Sequence, residues 1–328
     1  MFAASFKRTR LSLMISAIAA ARSLILFCGL FLTAVCQAQD LTPRAYVITP
    51  LHSNAIVMTY SLSSGSIIFD PSLPISDAMG TLNVPVLTVY HSFTFFGRSA
   101  NASISLPYVV GHFRGSIGSG QQEIYRSGLM DSVYRLAVNL KGGPAMSLQE
   151  FSAWRQKLVI GASLKVVAPT GQYDPTKLIT PGANRFAFKP EIGLSRRWGH
   201  WLVDSYGGII FFTANQDFFS RNQFSASTNT RSQAPIGTLE MHLSYDVKPR
   251  LWASIDGNYW YGGRTRFNGV EATSSLQANS RIGGTLSTPV SKHQSLKISY
   301  SRGAIIRIGG NFNNFAAAWQ YSWLGRPN

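Results

Sequence analysis

A histidine and a serine two positions apart are the residues of this sequence best suited to covalent chemistry. His242 and Ser244 alternate with apolar residues, so in an extended strand both side chains lie on one face, about 7 Å apart. A serine nucleophile needs a base within hydrogen-bond reach, an orienting partner and an oxyanion hole. Glu240 and Asp246 flank the pair on the same face. The motif is short, so by itself it indicates a hydrolytic site only weakly.

Other charged side chains occupy equivalent alternating positions, where opposite charges on neighbouring strands pair across a sheet. If the faces that carry them enclose a hydrated lumen, these side chains both hold the wall and set its selectivity, including a constriction for anionic solutes. The residues predicted to line that lumen are Lys157, Lys165, Lys189, Glu191, Asp204, Glu240, His242, Asp246, Asp256, Arg281 and Lys297. No catalytic set, cofactor site or metal site is predicted among them.

Strict alternation of apolar and polar residues positions these side chains. It runs from Thr238 to Val247 and recurs at 251–261, 296–301 and 315–323. Such segments exceed the ~5–6 residues common in soluble strands and match the ~9–11 that a tilted transmembrane strand needs. Aromatic residues gather at segment ends, where a membrane barrel carries its interfacial girdles. Past Ala38 no run of about eighteen apolar residues occurs, which excludes a helical membrane protein. The pattern predicts an all-β transmembrane antiparallel up-and-down barrel.

The segments number about twelve, an even count as in single-chain bacterial barrels. Tight connections follow the second, sixth, eighth and tenth segments, and longer connections rich in Gly, Ser, Asn and Pro lie between them. Short turns face the periplasm in such barrels, so both ends are expected there. The 142–153 connection is long for a turn and is predicted to form a short periplasmic helix. The predicted segments are 54–65, 82–96, 99–111, 129–141, 154–169, 184–196, 200–213, 235–247, 250–262, 277–289, 294–307 and 312–323.

Two prolines and one segment fit this plan less well. Pro107 and Pro190 fall inside predicted strands, although proline cannot donate a hydrogen bond to a ladder. The segment around Leu87 is apolar on both faces, which leaves its register open.

The first 38 residues have the features of a cleaved signal peptide. Basic residues at 7, 8 and 10 precede an apolar run at 24–35, and Cys36 and Ala38 supply the small residues of a cleavage site. Met14 is an alternative start, and an uncleaved anchor is the alternative to cleavage. Both cysteines lie in this leader, so the mature chain has no cysteine for a disulfide or a metal site.

The net charge favours anionic partners. The whole chain carries +16, and removing the four basic residues of the leader from 30 leaves 26 against 14 acidic residues, or +12. Export and the scattered placement of the basic residues argue against nucleic acid. The expected partners are outer-membrane lipid and lipopolysaccharide, a small solute, and the barrel-assembly machinery.

Residues 44–323 also resemble a known family, the outer-membrane proteins of the MetA pathway of phenol degradation, which are often described as transporters. The segments that carry this resemblance are 171–177 (GQYDPTK), 184–193 (NRFAFKPEIG), 211–219 (FFTANQDFF), 261–265 (YGGRT), 277–281 (QANSR) and 318–321 (AWQY). The resemblance implies an outer-membrane barrel and uptake or efflux of small aromatic or hydrophobic compounds. It implies no catalytic residues.

The resulting layout is a signal peptide at 1–38, a periplasmic N-terminal segment at 39–53, a barrel at 54–323 and a tail at 324–328. The predicted function is an outer-membrane channel that passes small aromatic or anionic solutes by diffusion through a narrow lumen, without enzymatic activity. Two alternatives stay open. One is a structural or adhesive barrel that does not conduct. The other is a lipid hydrolase like the outer-membrane phospholipases, which share the His-x-Ser spacing but not the residues around His242.

Overall fold

The computed structural model describes residues 41–68, 75–117, 120–222 and 226–325. The predicted signal peptide and the last three residues of the predicted tail lie outside the described residues. No helix within the described ranges is long and apolar enough to span a membrane.

The alternating sequence segments form long antiparallel strands. One short α-helix, α1 (Leu148–Ala153), lies in the connection between the fifth and sixth strands. The long strands are β1 (Ser53–Ile68), β2 (Ile75–Phe95), β3 (Arg98–Ile117), β4 (Gly120–Leu129), β5 (Ser132–Lys141), β6 (Leu158–Ala168), β7 (Ala187–Trp198), β8 (Trp201–Phe212), β10 (Ile236–Lys248), β11 (Leu251–Gly262), β14 (Gln277–Pro289), β15 (Gln294–Ile306) and β16 (Gly309–Leu324). Three short strands, β9 (Arg231–Gln233), β12 (Thr265–Phe267) and β13 (Val270–Ala272), form a separate small sheet.

The long strands close into a barrel, because β1 pairs with both β2 and β16 along nearly its whole length. Strand β3 pairs with β5 up to Ser105 and with β4 from Tyr108 onward, so β4 and β5 together occupy one position in the wall. The described wall therefore has twelve positions, each next to its neighbour in the sequence. The predicted all-β, twelve-stranded, up-and-down barrel is confirmed.

The outer surface of this barrel is apolar. On β10, Leu239, Met241 and Leu243 are 45%, 55% and 42% exposed, whereas Glu240 and His242 between them are buried. A soluble barrel would place its apolar face inside, so this arrangement suits a lipid environment. Exposed aromatic side chains gather near the short turns, namely Phe95, Phe96, Trp198, Trp201, Tyr245, Trp319, Tyr321 and Trp323. The predicted outward orientation of the apolar residues and the predicted aromatic girdle are thus both present.

The connections follow the predicted asymmetry. Tight turns at 96–97, 199–200, 249–250 and 290–293 lie at one end, and the long connections lie at the other. The turn at 96–97 needs positive φ at both residues, which Gly97 adopts at no steric cost. The 142–157 connection, at the end with the tight turns, contains α1, so the short helix predicted within 142–153 is present. Ser147 and Glu150 form a capping box at its start.

The three misfits have local explanations. Pro107 lies where β3 changes partner from β5 to β4, and its carbonyl accepts the Met130 N–H at 3.0 Å. At Pro190 the ladder with β6 continues, but the ladder with β8 is interrupted. The segment around Leu87 turns Leu87 and Val89 outward, where they are 41% and 49% exposed.

Candidate functional site: the barrel lumen

The inward faces of the barrel divide into two unlike sides. The charged wall comprises the inward faces of β6, β7, β8, β10 and β11, and the uncharged wall comprises those of β15, β16, β1, β2 and β3. On the charged wall, side chains such as Asp204 and Ser244 are 0% exposed. On the uncharged wall, small side chains such as Ser61 and Ser105 remain half-buried, so water reaches them.

A continuous set of ion pairs fills the middle of the charged wall. The Lys189 ammonium lies 2.6 Å from Glu191 and 3.0 Å from Glu240. Glu240 also lies 3.6 Å from Nε2 of His242, whose Nδ1 is 2.8 Å from Asp256. Because cross-strand neighbours share one face, the registers His242–Asp256 and His242–Asp204 bring these groups together. Buried charges that lack such partners would be costly, which explains the pairing.

A second ion cluster lies near the short turns. Asp246 binds both Arg44, at 2.7 Å, and Arg197. Arg44 belongs to residues 41–52, named here the lumen strap, in which Thr42, Arg44 and Tyr46 bind inward side chains of the charged wall. The backbone N–H of Arg44 donates to Asp204 at 3.2 Å, and Thr42 donates to Glu240 at 3.3 Å. The sequence predicted a periplasmic segment at 39–53. Its described part instead enters the lumen, where it supplies partners for the buried carboxylates.

Tyr46 anchors the strap in a notch of the charged wall. The notch exists because Gly161 and Gly193 lack side chains, and a Cβ atom at either would overlap the Tyr46 ring. The Tyr46 hydroxyl makes hydrogen bonds with Ser163 at 2.9 Å and Glu191 at 3.0 Å. The Arg135 guanidinium lies 5.1 Å from the ring centroid, within cation–π range. The strap therefore reduces the open cross-section on the charged side.

The uncharged wall presents small neutral side chains to the lumen. Asn314 donates to Ser61 at 2.8 Å and to Ser63 at 2.7 Å, and Thr88 and Ser105 share a hydrogen bond of 2.8 Å. These short side chains leave space in front of the uncharged wall. On the opposite side, the strap and the ion pairs of the charged wall fill the lumen. The half-buried inward residues of this wall include Thr59, Ser61, Ser63, Thr88, Ser103, Ser105, Ser299, Asn314, Ala316 and Gln320.

Two apolar clusters narrow the end with the long loops. One contains Trp260, whose indole N–H donates to Gln277 at 2.9 Å. The other includes Phe113 and Phe312, with Ile179 reaching in from the 169–186 connection. Their buried members are Val167, Ala187, Ile210, Ile236 and Trp260 in the first and Ile67, Ala78, Phe113, Ile179 and Phe312 in the second.

The long loops also bind one another over this end. Tyr173 donates to the Asp217 carbonyl at 2.8 Å and accepts from Asn215 at 2.8 Å. Burial is the main cause that raises the pKa of Tyr173. Hydrogen bonds from Thr176 and Lys177 lower the pKa of the exposed Asp174 to about 2. These contacts form the outer cover of the mouth.

Most predicted site residues face the lumen, but they do not form one site. Six of them lie next to one another on the charged wall: Lys189, Glu191, Asp204, Glu240, His242 and Asp256. Lys165 lies beside Lys189, and Asp246 lies near the turns. Arg281 lies toward the mouth, where it donates to the Phe312 carbonyl at 2.9 Å. Lys297 lies on the uncharged wall.

Lys157 differs from the prediction. Strand β6 begins at Leu158, so the alternation does not extend to Lys157, which is exposed beside the turn end. Sequence reasoning also missed Arg44, Tyr46, Arg135 and Arg197. The alternation of β5 and β7 could have identified Arg135 and Arg197, but no pattern marks the strap.

The His242–Ser244 pair is not arranged for catalysis. Both nitrogens of the His242 ring point toward carboxylates, and the Ser244 hydroxyl has no hydrogen-bond partner among the described residues. Ser244 is also fully buried, so a substrate cannot reach it. Within the described ranges, no group of three or more His, Cys, Asp or Glu could hold a metal ion.

Comparison with known proteins gives the family and the fold. The structure is similar to the COG4313 outer membrane channel from Pseudomonas putida F1, with a TM-score of 0.68 and 19% identity over 87% of this chain and 100% of that chain. Weaker similarities are to the CymD monoaromatic hydrocarbon channel (TM-score 0.40, 7% identity, 85% and 90% covered) and to the KdgM porin (TM-score 0.40, 10% identity, 82% and 99% covered). No functionally curated protein matches the sequence.

The fold shared with that outer membrane channel and the apolar outer surface place the chain in the bacterial outer membrane. The family model described as "Putative MetA-pathway of phenol degradation" matches residues 77–321, about three quarters of the sequence. The chain belongs to this family.

Proposed function

We propose that this barrel is a passive channel for small solutes, and that solutes diffuse along the uncharged wall. The observation that carries the proposal is the unequal filling of the lumen. The charged wall is packed with ion pairs and covered by the strap, while the small side chains opposite remain accessible to water. A twelve-position barrel lies between eight-stranded barrels, whose interior is filled, and open porins of about sixteen strands. A narrow pore is the physical expectation.

The apolar clusters at the mouth suit small solutes with an aromatic or aliphatic part. Partly buried side chains packed against these clusters, such as Phe212 and Leu82, would contact such a solute before it meets the hydroxyl groups of the uncharged wall. The family description is consistent with aromatic compounds. Outer-membrane lipid surrounds the exposed apolar belt, and lipopolysaccharide and the barrel-assembly machinery are proposed as further partners.

The arrangement of the lumen favours transport over enzymatic activity. A hydrolase would need a reachable nucleophile beside a free base, whereas Ser244 is buried and His242 is held by Asp256. A purely structural or adhesive barrel has no need for a water-accessible inner wall. Non-enzymatic passage of solutes is therefore the function that the geometry supports best.

Single-channel recording in planar bilayers tests the proposal. Purified, folded protein is expected to give stepwise conductance in potassium chloride, smaller than that of a sixteen-stranded porin recorded under the same conditions. Liposome swelling with benzoate and with sugars of graded size is expected to show a size cut-off for solute permeation. A folded protein that produces neither conductance nor swelling would support the structural or adhesive alternative instead.

A further inference from the structure

Lys297 is the only charged side chain on the described part of the uncharged wall. The inward positions of this wall, taken within 55–67, 80–94, 99–115, 295–303 and 310–322, otherwise carry neutral side chains. Strand pairing shows that Lys297 faces inward, because its partners Ser287 and Ala318 are both buried lumen residues. Its neighbours along the strand, Ile298 and Tyr300, are exposed on the outside.

Lys297 also differs from the other lumen cations in its contacts. Lys189 lies between two carboxylates, Arg44 and Arg197 share Asp246, and Arg281 donates to backbone and hydroxyl oxygens. Lys297 has no hydrogen bond or ion pair within the described ranges, yet its side chain is accessible to water. The carboxylate whose charge acts on it is Asp256, which already binds His242 and Thr285.

We infer that Lys297 determines the charge selectivity of the channel and makes it prefer anionic solutes, such as chloride or small carboxylates. This inference rests on the proposed channel function. A fixed charge in a narrow pore raises the local concentration of counter-ions and lowers that of ions of its own sign. The ion pairs opposite are mutually neutralised and covered by the strap, so they contribute little to the field along the uncharged wall.

Reversal potentials under a potassium chloride gradient test this role with three variants. The wild type is expected to favour chloride. Lys297→Gln is expected to lower the anion-to-cation permeability ratio at least about twofold, the effect of one unit charge at ~8 Å in water, and Lys297→Glu is expected to bring the ratio below one. The control, Lys292→Gln, removes the same charge from the exposed turn five residues away and is expected to leave the ratio unchanged.

Modification of a cysteine after folding answers the same question if a charge substitution prevents assembly. Both native cysteines precede the predicted cleavage site, so Lys297→Cys offers a single thiol in the processed chain. A positively charged methanethiosulfonate reagent added to the open channel is expected to restore anion preference, and a negatively charged one is expected to reverse it. Both effects are expected to weaken between ~0.01 M and ~1 M salt, because the Debye length falls from ~30 Å to ~3 Å.

The outcomes separate the two proposals. If the channel conducts but its permeability ratio is the same in the wild type, Lys297→Gln and Lys297→Glu, the inference is overturned and the channel function stands. Failure of the thiol of the Lys297→Cys variant to react with water-soluble reagents in the open channel also overturns the inference. If folded wild-type protein never conducts, the proposed function itself fails.

Discussion

The ring of Tyr46 lies against Gly193 in space that any larger side chain at position 193 would occupy. The two residues are far apart in the sequence, and Tyr46 is the largest strap side chain that is fully buried. Its hydroxyl adds hydrogen bonds to Ser163 and Glu191. The position of the strap therefore depends on the absence of a side chain in the barrel wall.

Gly193→Val is expected to release the strap. The valine side chain would overlap the Tyr46 ring, so Tyr46 would lose both its notch and its hydrogen bonds. Release would expose the bond after Arg44 to trypsin in detergent micelles, and cleavage is expected to accelerate at least about tenfold, which corresponds to ~1.4 kcal/mol of lost docking free energy. Mass spectrometry of the N-terminal fragment measures the rate.

Gly207→Val is the matched control for this substitution. Gly207 lies on the outer face of β8, and a Cβ atom there would meet nothing within 4 Å. Cleavage after Arg44 is expected to stay at the wild-type rate. Equal cleavage rates for Gly193→Val and the wild type would show that Tyr46 does not hold the strap.

Lys189→Met is expected to destabilise the barrel. The change would leave Glu191 and Glu240 buried beside each other without their shared cation. Breaking a buried ion pair in this way costs about 3 kcal/mol or more in the free energy of unfolding. Urea unfolding followed by tryptophan fluorescence measures the loss. The control Lys177→Met removes an exposed pair with Asp174 and is expected to cost less than ~1 kcal/mol. Similar losses in both variants would contradict the assigned role of the ion pairs.

Ser244→Ala is expected to change neither conductance nor stability by a measurable amount. The Ser244 hydroxyl is buried without a partner among the described residues, so its removal sacrifices no hydrogen bond there. Relief of that unsatisfied group makes the change in stability neutral or slightly favourable. A loss of any lipase activity of the purified protein in this variant would revive the hydrolase alternative.

The strands and their facing were predictable because each alternating segment carries its own signal. The alternation around Leu239 indicates which residues face outward, and the tight turns fix the register of each hairpin. The charged residues of β10 and β11 were identified for the same reason. Their pairing, including His242 with Asp256, follows once the register of the two strands is known.

The lumen strap was not predictable from local pattern. Residues 41–52 show no alternation, and the contacts of Arg44 with Asp204 and Asp246 span 160 and 202 positions of sequence. The notch at Gly161 and Gly193 was not predictable either, because a glycine in a strand pattern does not show which side chain packs against it. Lys157 was misplaced because alternation alone does not show where a strand begins.

Passage of solutes along the uncharged wall is tested most directly by a pair of neighbouring alanines on β16. Ala316 faces the lumen opposite Ser61 and Ser299, whereas Ala317 faces lipid opposite Tyr60 and Ile298. Single-channel conductance is to be measured for Ala316→Trp and Ala317→Trp in the same bilayers. We expect at least about a twofold fall for Ala316→Trp, since the indole narrows the pore, and no change for Ala317→Trp. Equal conductance of both variants and the wild type would contradict a path along this wall.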